Sequence, residues 1–219
     1  MSAILTPDQE HLLSAIAAEK QITSRFYLSG GTALAEYYLH HRLSEDLDFF
    51  SEEEIDVEGL SALIKKVSAK AGIAEVTFEQ SFNRNLFFLR MPDSTVKTEF
   101  TYYPFPCIEK GLHEAMLAID SLLDIAVNKL FTISQKPRSR DFIDLFCILQ
   151  KHPEWAIDEL ILKAQAKFDY HIDPLQLSAQ CLKARELKDY PTMKIPLDER
   201  AWQDFFVAES KRLAKSQLR

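Results

Sequence analysis

Residues 26–50, FYLSGGTALAEYYLHHRLSEDLDFF, contain the pattern that decides the fold. The apolar stretch 26–28 is typical of a short buried strand, and it ends at a Ser-Gly-Gly-Thr turn. A helix is predicted directly after this turn, from about Ala33 to His40. Residues 46–50 then alternate acidic and apolar side chains, which predicts a second strand. This order of strand, glycine turn, helix and acid-bearing strand indicates an α/β core around a polar site.

The two acidic residues of the second strand, Asp46 and Asp48, should project from one face of the sheet, because successive side chains of a strand point to opposite faces. Their neighbours Leu47 and Phe49 then point into the core. Two carboxylates at this spacing repel each other, and a hard divalent cation bound between them removes the repulsion. The pair therefore predicts a site for Mg²⁺ or Mn²⁺. In isolation, such a pair is more typical of an amphipathic strand with solvated acids.

A third acidic residue, Glu99, is expected to join this pair. The β-prone stretches 74–80, 86–91 and 96–102 are separated by turns and predict an antiparallel meander. Glu99 lies on the polar face of the last stretch, and it reaches the same metals if that strand pairs beside residues 46–50. Metal ions held by three carboxylates can activate an attacking hydroxyl and stabilise a departing pyrophosphate.

The glycine pair suits a phosphate group. Gly30 and Gly31 let the backbone approach a ligand closely, and a helix that starts there offers free N–H groups and the positive end of its dipole. Alone, the Gly-Gly-Thr sequence is also typical of a tight turn. Followed by the acid pair, it is a more specific indication of nucleotide chemistry.

The composition is that of a globular protein. The 219 residues carry a formal charge of −7, so any nucleic-acid footprint must be local. The cysteines Cys107, Cys147 and Cys181 lie far apart and are expected to be buried thiols in a reducing compartment. We see neither a signal peptide nor an apolar run of the ~20 residues needed to span a bilayer. The sequence thus predicts a cytoplasmic protein without a membrane partner.

The pattern changes near residue 110. Before that point, helices are predicted at 7–22 and 57–72 among the strands. From about His113 to the end, almost everything has helical periodicity. The sequence therefore predicts an α+β fold with a mixed sheet and flanking helices at 1–110. An all-helical half at 111–219 is expected to complete the cleft.

Residues 28–34 (LSGGTAL) and 41–50 (HRLSEDLDFF) resemble the AbiEii/AbiGii toxins, a branch of the DNA polymerase beta-like nucleotidyltransferase superfamily. The family pattern is G-G-T-A-L followed by H-R-x-S-x-D-hydrophobic-D-F. The family also has a third acid after a lysine, a helical lysine and an R-D-x-x-D element, which are similar to residues 97–99, Lys129 and residues 140–144. The resemblance implies a polymerase-beta-like core and covers roughly residues 25–150.

The resemblance also implies roles for individual residues. In this family the glycine turn holds the triphosphate, the acids hold the metals, and the helical lysine contacts phosphates. Carried over, these roles fall on Gly30, Gly31 and Thr32; on Asp46, Asp48 and Glu99; and on Lys129. Ser44, Arg140, Asp141 and Asp144 would complete the nucleotide site.

The residues themselves leave alternatives open for this second group. Lys129 could lie on a solvated helix face, and Arg140 with Asp144 could form a surface i,i+4 ion pair. Arg42 and Ser44 could orient the acid strand without touching the substrate.

The function implied is that of a toxin enzyme that transfers a nucleoside monophosphate (NMP) from a nucleoside triphosphate (NTP) to RNA, for instance the 3′ end of a tRNA. A cognate antitoxin would be its partner. One alternative is a non-catalytic nucleotide-binding module, for example for GTP. Others are transfer to a protein or small-molecule hydroxyl, or an interaction protein that keeps only the fold.

Overall fold

A computed structural model describes residues 4–92 and 94–216 of the chain. These residues form two compact units, each with its own core. Unit 1 contains the residues up to Tyr38 and Leu43–Ser121, and unit 2 contains Leu39–Arg42 and the residues from Leu122 onward. The chain therefore passes between the units three times.

Unit 1 is built on a seven-stranded mixed sheet with the order β3-β4-β5-β2-β1-β7-β6. The strands are β1 (Tyr27–Ser29), β2 (Asp46–Ser51), β3 (Glu75–Ser81), β4 (Arg84–Arg90), β5 (Thr95–Tyr102), β6 (His113–Glu114) and β7 (Leu117–Ile119). The helices are α1 (Pro7–Ala17), α2 (Lys20–Thr23), α3 (Gly30–Leu34) and α4 (Val57–Lys70), and a π-helical turn, Ala35–Leu39, follows α3.

The predicted meander is confirmed, since β3, β4 and β5 pair antiparallel in sequence order. Strand β5 then runs parallel to β2, and β2 pairs antiparallel with β1. This arrangement brings the strand that contains Glu99 directly beside the strand that contains the acid pair.

Aromatic side chains form the core of unit 1 on one face of this sheet. Phe49 of β2 stacks on Phe100 of β5 with a ring-centroid distance of 4.9 Å, and Phe87 of β4 meets Phe100 edge-on at 5.9 Å. Because strand side chains alternate, burying these residues leaves the intervening polar ones on the opposite face. The acids of β2 and β5 therefore share that opposite face.

Unit 2 consists of helices packed around a second aromatic cluster. Its helices are α5 (Leu122–Gln135), α6 (Ser139–Lys151), α7 (Ile157–Phe168), α8 (Pro174–Leu182) and α9 (Glu199–Ser216). Phe142 of α6 contacts Phe206 of α9 with a centroid distance of 4.8 Å and stacks near Trp202. The predicted α+β class and the helical C-terminal half are thus confirmed.

Several local predictions were wrong. Residues 113–119 are not helical: they form β6 and β7, strands of two and three residues that are too short to show a strand periodicity. The first predicted helix is broken between α1 and α2. The helix after the glycine turn begins at Gly30 and not at Ala33, and it continues as the π-helical turn.

The cysteines differ in their environments. Only Cys181 is a buried thiol, whereas Cys147 is half-buried and Cys107 is exposed. The expectation of three buried thiols was therefore wrong for two of them. Among the described residues, no helix is both long enough and apolar enough to cross a bilayer.

Candidate active site

The acid strand has the predicted alternation. Leu47 and Phe49 are fully buried, whereas Asp46 and Asp48 are half-buried on the other face of the sheet. The neighbouring parallel strand extends this polar face, because Asp48 is paired in register with Glu99 and Asp46 with Lys97. In-register partners of adjacent strands share one face, so the three acidic side chains are neighbours on it.

The glycine turn packs directly against the acid strand. Gly30 has a φ of +70°, and a Cβ atom added to it would lie 2.5 Å from Oδ2 of Asp48. Thr32 is fully buried, and its hydroxyl donates a hydrogen bond to the carbonyl oxygen of Asp46. The hydroxyl of Thr32 therefore fixes the turn to the strand. Gly31 is half-buried.

Two basic side chains accompany the acids. Lys97 Nζ lies 3.0 Å from Oδ2 of Asp46. Arg84, at the start of β4, donates from Nε to Oε1 of Glu99 at 2.6 Å and from Nη2 to Oε2 of the same carboxylate. Arg84 was not among the predicted site residues. The predicted meander placed Arg84 in the turn before residues 86–91, whereas β4 begins at Arg84 and pairs it with Thr101, on the same face as Glu99.

These contacts set the charge state of the site. Burial alone would raise the pKa of Glu99, but hydrogen bonds from Arg84 and Thr101 outweigh burial and lower this pKa below its usual value. Glu99 is therefore ionised at neutral pH. The hydrogen bond to Glu99 raises the pKa of Arg84, and the charges of Asp48 and Asp46 act in the same direction. All three acids therefore act on this one guanidinium.

The donor set fits a hard divalent cation. Asp46, Asp48 and Glu99 offer only carboxylate oxygens, which Mg²⁺ and Mn²⁺ prefer over nitrogen or sulfur ligands. Ionised Glu99 needs no deprotonation before it binds a metal.

In unit 2, the predicted nucleotide residues form a buried charge network. Asp144 is fully buried, and Arg42 binds both of its oxygens at 2.6 and 2.8 Å. His41 Nε2 lies 2.8 Å from Oδ1 of Asp144. Lys129 Nζ lies 2.7 Å from Oδ2 of Asp144 and 2.8 Å from Oδ1 of Asp141. Two buried cations thus balance two buried carboxylates.

Two of the alternatives left open by the sequence are excluded. Lys129 is only 8% exposed, so it does not lie on a solvated helix face. Asp144 forms no surface pair with Arg140, because its oxygens are held by the buried cations. Burial would raise the pKa of Asp144, but the charges of Lys129 and Arg42 hold it well below the usual range.

The remaining predicted residues have simpler surroundings. Arg140 is half-buried on α6. The second oxygen of Asp141 accepts a hydrogen bond from the backbone N–H of Arg138, which caps that helix. Ser44 is half-buried, and its carbonyl oxygen accepts a hydrogen bond from the Gln9 side chain. Arg42 donates hydrogen bonds to Asp144, a contact that was not predicted.

The acid pair of β2, the third acid on β5 and the glycine turn against the pair lie together in unit 1, in the order along the chain that the sequence predicted. The sequence model of the family described as "Nucleotidyl transferase AbiEii toxin, Type IV TA system" matches residues 11–213. The chain belongs to this family of nucleotidyltransferase toxins from type IV toxin–antitoxin systems. The resemblance drawn from residues 28–50 is thereby confirmed.

Other proteins are similar to this chain in sequence or in fold. An uncharacterized protein of Aquifex aeolicus (strain VF5) is 32% identical over 151 residues, which cover 67% of this chain and 68% of the relative. The crystal structure of JHP933 from Helicobacter pylori matches 95% of this chain and 91% of its own, with a TM-score of 0.60 and 20% identity. A second H. pylori structure covers 97% of both chains, with a TM-score of 0.61 and 20% identity. At this identity the two structures support the fold alone.

Proposed function

We propose that this protein transfers an NMP from an NTP to a hydroxyl of an RNA acceptor, with Mg²⁺ or Mn²⁺ held by Asp46, Asp48 and Glu99. The observation that carries the proposal is the in-register pairing of Asp48 with Glu99, beside the Gly30 turn. A divalent cation bound there would neutralise charge that develops on the phosphates and lower the pKa of the acceptor hydroxyl.

The reaction is a displacement at the α-phosphorus of the NTP. The acceptor oxygen bonds to this phosphorus, the bond to the β-phosphate bridging oxygen breaks, and pyrophosphate leaves. The hydroxyl proton passes to water by way of the site carboxylates. Gly30 and Gly31, which have no side chain to obstruct a ligand, would admit the triphosphate beside Asp48. Contacts of Ser44, Lys129, Arg140 and Asp141 with the nucleotide remain predictions.

We propose RNA as the acceptor because exposed basic side chains are available to contact its phosphates, although the protein as a whole is acidic. Lys136 is exposed, and the side chain of Arg138 is 52% exposed. Family membership supports an NTP as the substrate and a cognate antitoxin as the protein partner. Control by an antitoxin suits an enzyme that modifies RNA inside the cytoplasm.

The test is a transfer assay with each of the four α-³²P-labelled NTPs, total RNA and Mg²⁺, with EDTA as the metal-free control. We expect label from at least one NTP in a defined RNA fraction, sensitive to ribonuclease and absent with EDTA. Label that resists ribonuclease but not protease would replace RNA with a protein acceptor. Nucleotide binding without transfer to any acceptor would favour the non-catalytic binding module.

A further inference from the structure

The contact between Arg84 and Glu99 occupies a carboxylate that the proposed reaction needs. Oε1 of Glu99 accepts hydrogen bonds from Arg84 Nε at 2.6 Å and from Thr101 Oγ1 at 2.8 Å, and Oε2 accepts one from Arg84 Nη2. Such a two-point contact between guanidinium and carboxylate is strong and directional. A divalent cation on Glu99 would compete for the same oxygens and would repel the guanidinium. We therefore expect that Glu99 must give up its contact with Arg84 when its carboxylate binds a metal ion.

The two partners depend on each other unequally. The Glu99 side chain is 8% exposed, whereas the Arg84 side chain is 50% exposed. A buried carboxylate that loses a hydrogen-bonded cation is strongly destabilised, but a half-exposed guanidinium can turn into water at little cost. The ionised Glu99 side chain therefore requires a nearby cation whether or not a metal is bound, whereas the Arg84 side chain is stable in water without Glu99.

The charges around Glu99 indicate why Arg84 would leave this carboxylate when a metal ion binds. The described residues place three carboxylates and two basic side chains, Arg84 and Lys97, on this face, so the acidic side chains exceed the basic ones by one. A divalent cation added while both basic side chains stay would reverse the sign of the site. Moving one basic side chain away restores the balance, and a triphosphate that arrives with the metal offers it a new anionic partner.

We propose that Arg84 is a positioning residue that holds Glu99 in the metal-free site and transfers to the triphosphate when metal and nucleotide bind. The planar guanidinium suits both anions, because its N–H groups match carboxylate and phosphate oxygens alike. Rotation of the side chain is enough for this movement, since the side chain of Arg84 is 50% exposed. This inference rests on the proposed role of Glu99 as a metal ligand.

The chain contains a matched control for Arg84. Arg90 lies on the same strand and, six residues away, on the same face, and it pairs with Glu75 through exposed side chains at 3.2 Å. Its contact involves none of the three acids. The variants Arg84→Gln and Arg90→Gln therefore remove the same charge from the same strand, but only the first frees Glu99.

The experiment measures Mn²⁺ binding to the full chain without nucleotide, by electron paramagnetic resonance, and tripolyphosphate binding with Mg²⁺ in excess, by calorimetry. For Arg84→Gln we expect Mn²⁺ to bind about tenfold more tightly and tripolyphosphate about tenfold more weakly, as the loss of one charge-assisted contact predicts. Arg90→Gln should change neither affinity. Arg84→Lys keeps the charge without the two-point contact, and it should bind Mn²⁺ with an intermediate affinity.

The outcomes separate this inference from the proposed function. Unchanged or weaker Mn²⁺ binding in Arg84→Gln, with a normal thermal melt, would overturn the exchange. If Arg84→Gln does not fold, Arg84→Lys provides the test. A Mn²⁺ affinity of Arg84→Lys equal to that of the wild type would then overturn the proposed exchange. Glu99→Gln tests the premise, and Mn²⁺ binding as tight as wild type in this variant would remove Glu99 as a ligand and refute the proposed metal site itself.

Discussion

The Cα atom of Gly30 lies so close to the carboxylate of Asp48 that a methyl group attached to it would fall 2.5 Å from Oδ2. This distance is well below normal van der Waals contact. The backbone of the glycine turn therefore forms one wall of the Asp48 site, and any side chain at position 30 displaces the carboxylate.

Gly30→Ala should abolish NMP transfer, and Gly72→Ala is its matched control. Gly30 and Gly72 have φ angles of +70° and +71°, but no atom lies within 4 Å of the Cβ position of Gly72. Each substitution should lower the free energy of unfolding by about 1–2 kcal/mol through backbone strain. Only Gly30→Ala should also displace Asp48. Urea denaturation and the labelled transfer assay would measure both effects, and full transfer by Gly30→Ala would contradict the contact.

Asp48→Asn should keep the fold and lose the activity. An amide preserves the shape of this half-buried side chain and removes its repulsion of Asp46, so the melting temperature should stay the same or rise slightly. Transfer should fall to background, because a neutral amide holds Mg²⁺ far less well than a carboxylate. Glu45→Gln, an exposed substitution just before β2, is the control and should retain transfer. Equal activity of Asp48→Asn and wild type would exclude Asp48 as a metal ligand.

Asp144→Asn should destabilise the protein strongly. The substitution leaves Arg42 and Lys129 buried without their shared carboxylate, a loss typically of about 3–5 kcal/mol. Asp158 provides the contrast, because it pairs with Arg212 through exposed side chains. Asp158→Asn should change the free energy of unfolding by less than about 1 kcal/mol. Urea denaturation of both variants tests the comparison, and similar losses would argue against a buried network.

The contribution of Asp144 to stability should depend on pH. Its pKa is well below the usual value in the folded state, so Asp144 stays ionised while the same carboxyl in the unfolded chain takes up a proton. The contribution is complete above about pH 4 and decreases as the pH falls towards the lower folded pKa. Unfolding free energies of wild type and Asp144→Asn should converge by at most about 1.4 kcal/mol per pH unit in that window. A pH-independent difference between pH 6 and 3 would refute this assignment.

Phe82→Gly should stabilise the protein. Phe82 occupies the two-residue turn between β3 and β4 with a φ of +53°, although its side chain is 97% exposed and gains no burial. Glycine adopts this conformation without strain, so the free energy of unfolding should rise by about 1 kcal/mol. Phe82→Ala removes the ring but keeps the strain, and it should have little effect. If alanine stabilises as much as glycine, the ring and not the backbone is responsible.

Local sequence patterns predicted the acid site because its elements are close in sequence or repeat regularly. The alternation around Asp46 and Asp48 fixes their face, and the meander determines which strand can lie next to them. Arg84 was not predicted, because the sequence pattern placed it in the turn before residues 86–91, whereas β4 begins at Arg84. Strands β6 and β7 were missed because two or three residues show no periodicity.

The surroundings of Lys129, in contrast, could not be predicted from the local sequence. Its apolar neighbours on α5 describe the helix correctly, but the helical pattern alone leaves open whether a lysine faces water or a buried acid. The answer depends on Asp141 and Asp144, twelve and fifteen residues later, and on Arg42, far earlier in the chain. Such contacts between distant parts of the chain cannot be read from one helix.

The short segment Leu39–Arg42 has a consequence for how the protein is made. Arg42 belongs to unit 2 but is synthesised 102 residues before Asp144, the carboxylate it binds. The buried charges of the helical unit therefore cannot be balanced until α6 has left the ribosome, while the residues on both sides of the segment belong to the sheet unit. Dividing the gene after Ser121 would give a C-terminal fragment that retains Lys129 and both acids but lacks one of the two balancing cations. The helical unit is thus continuous in space but not in its coding sequence, and its buried charges are balanced only when the segment Leu39–Arg42 is present.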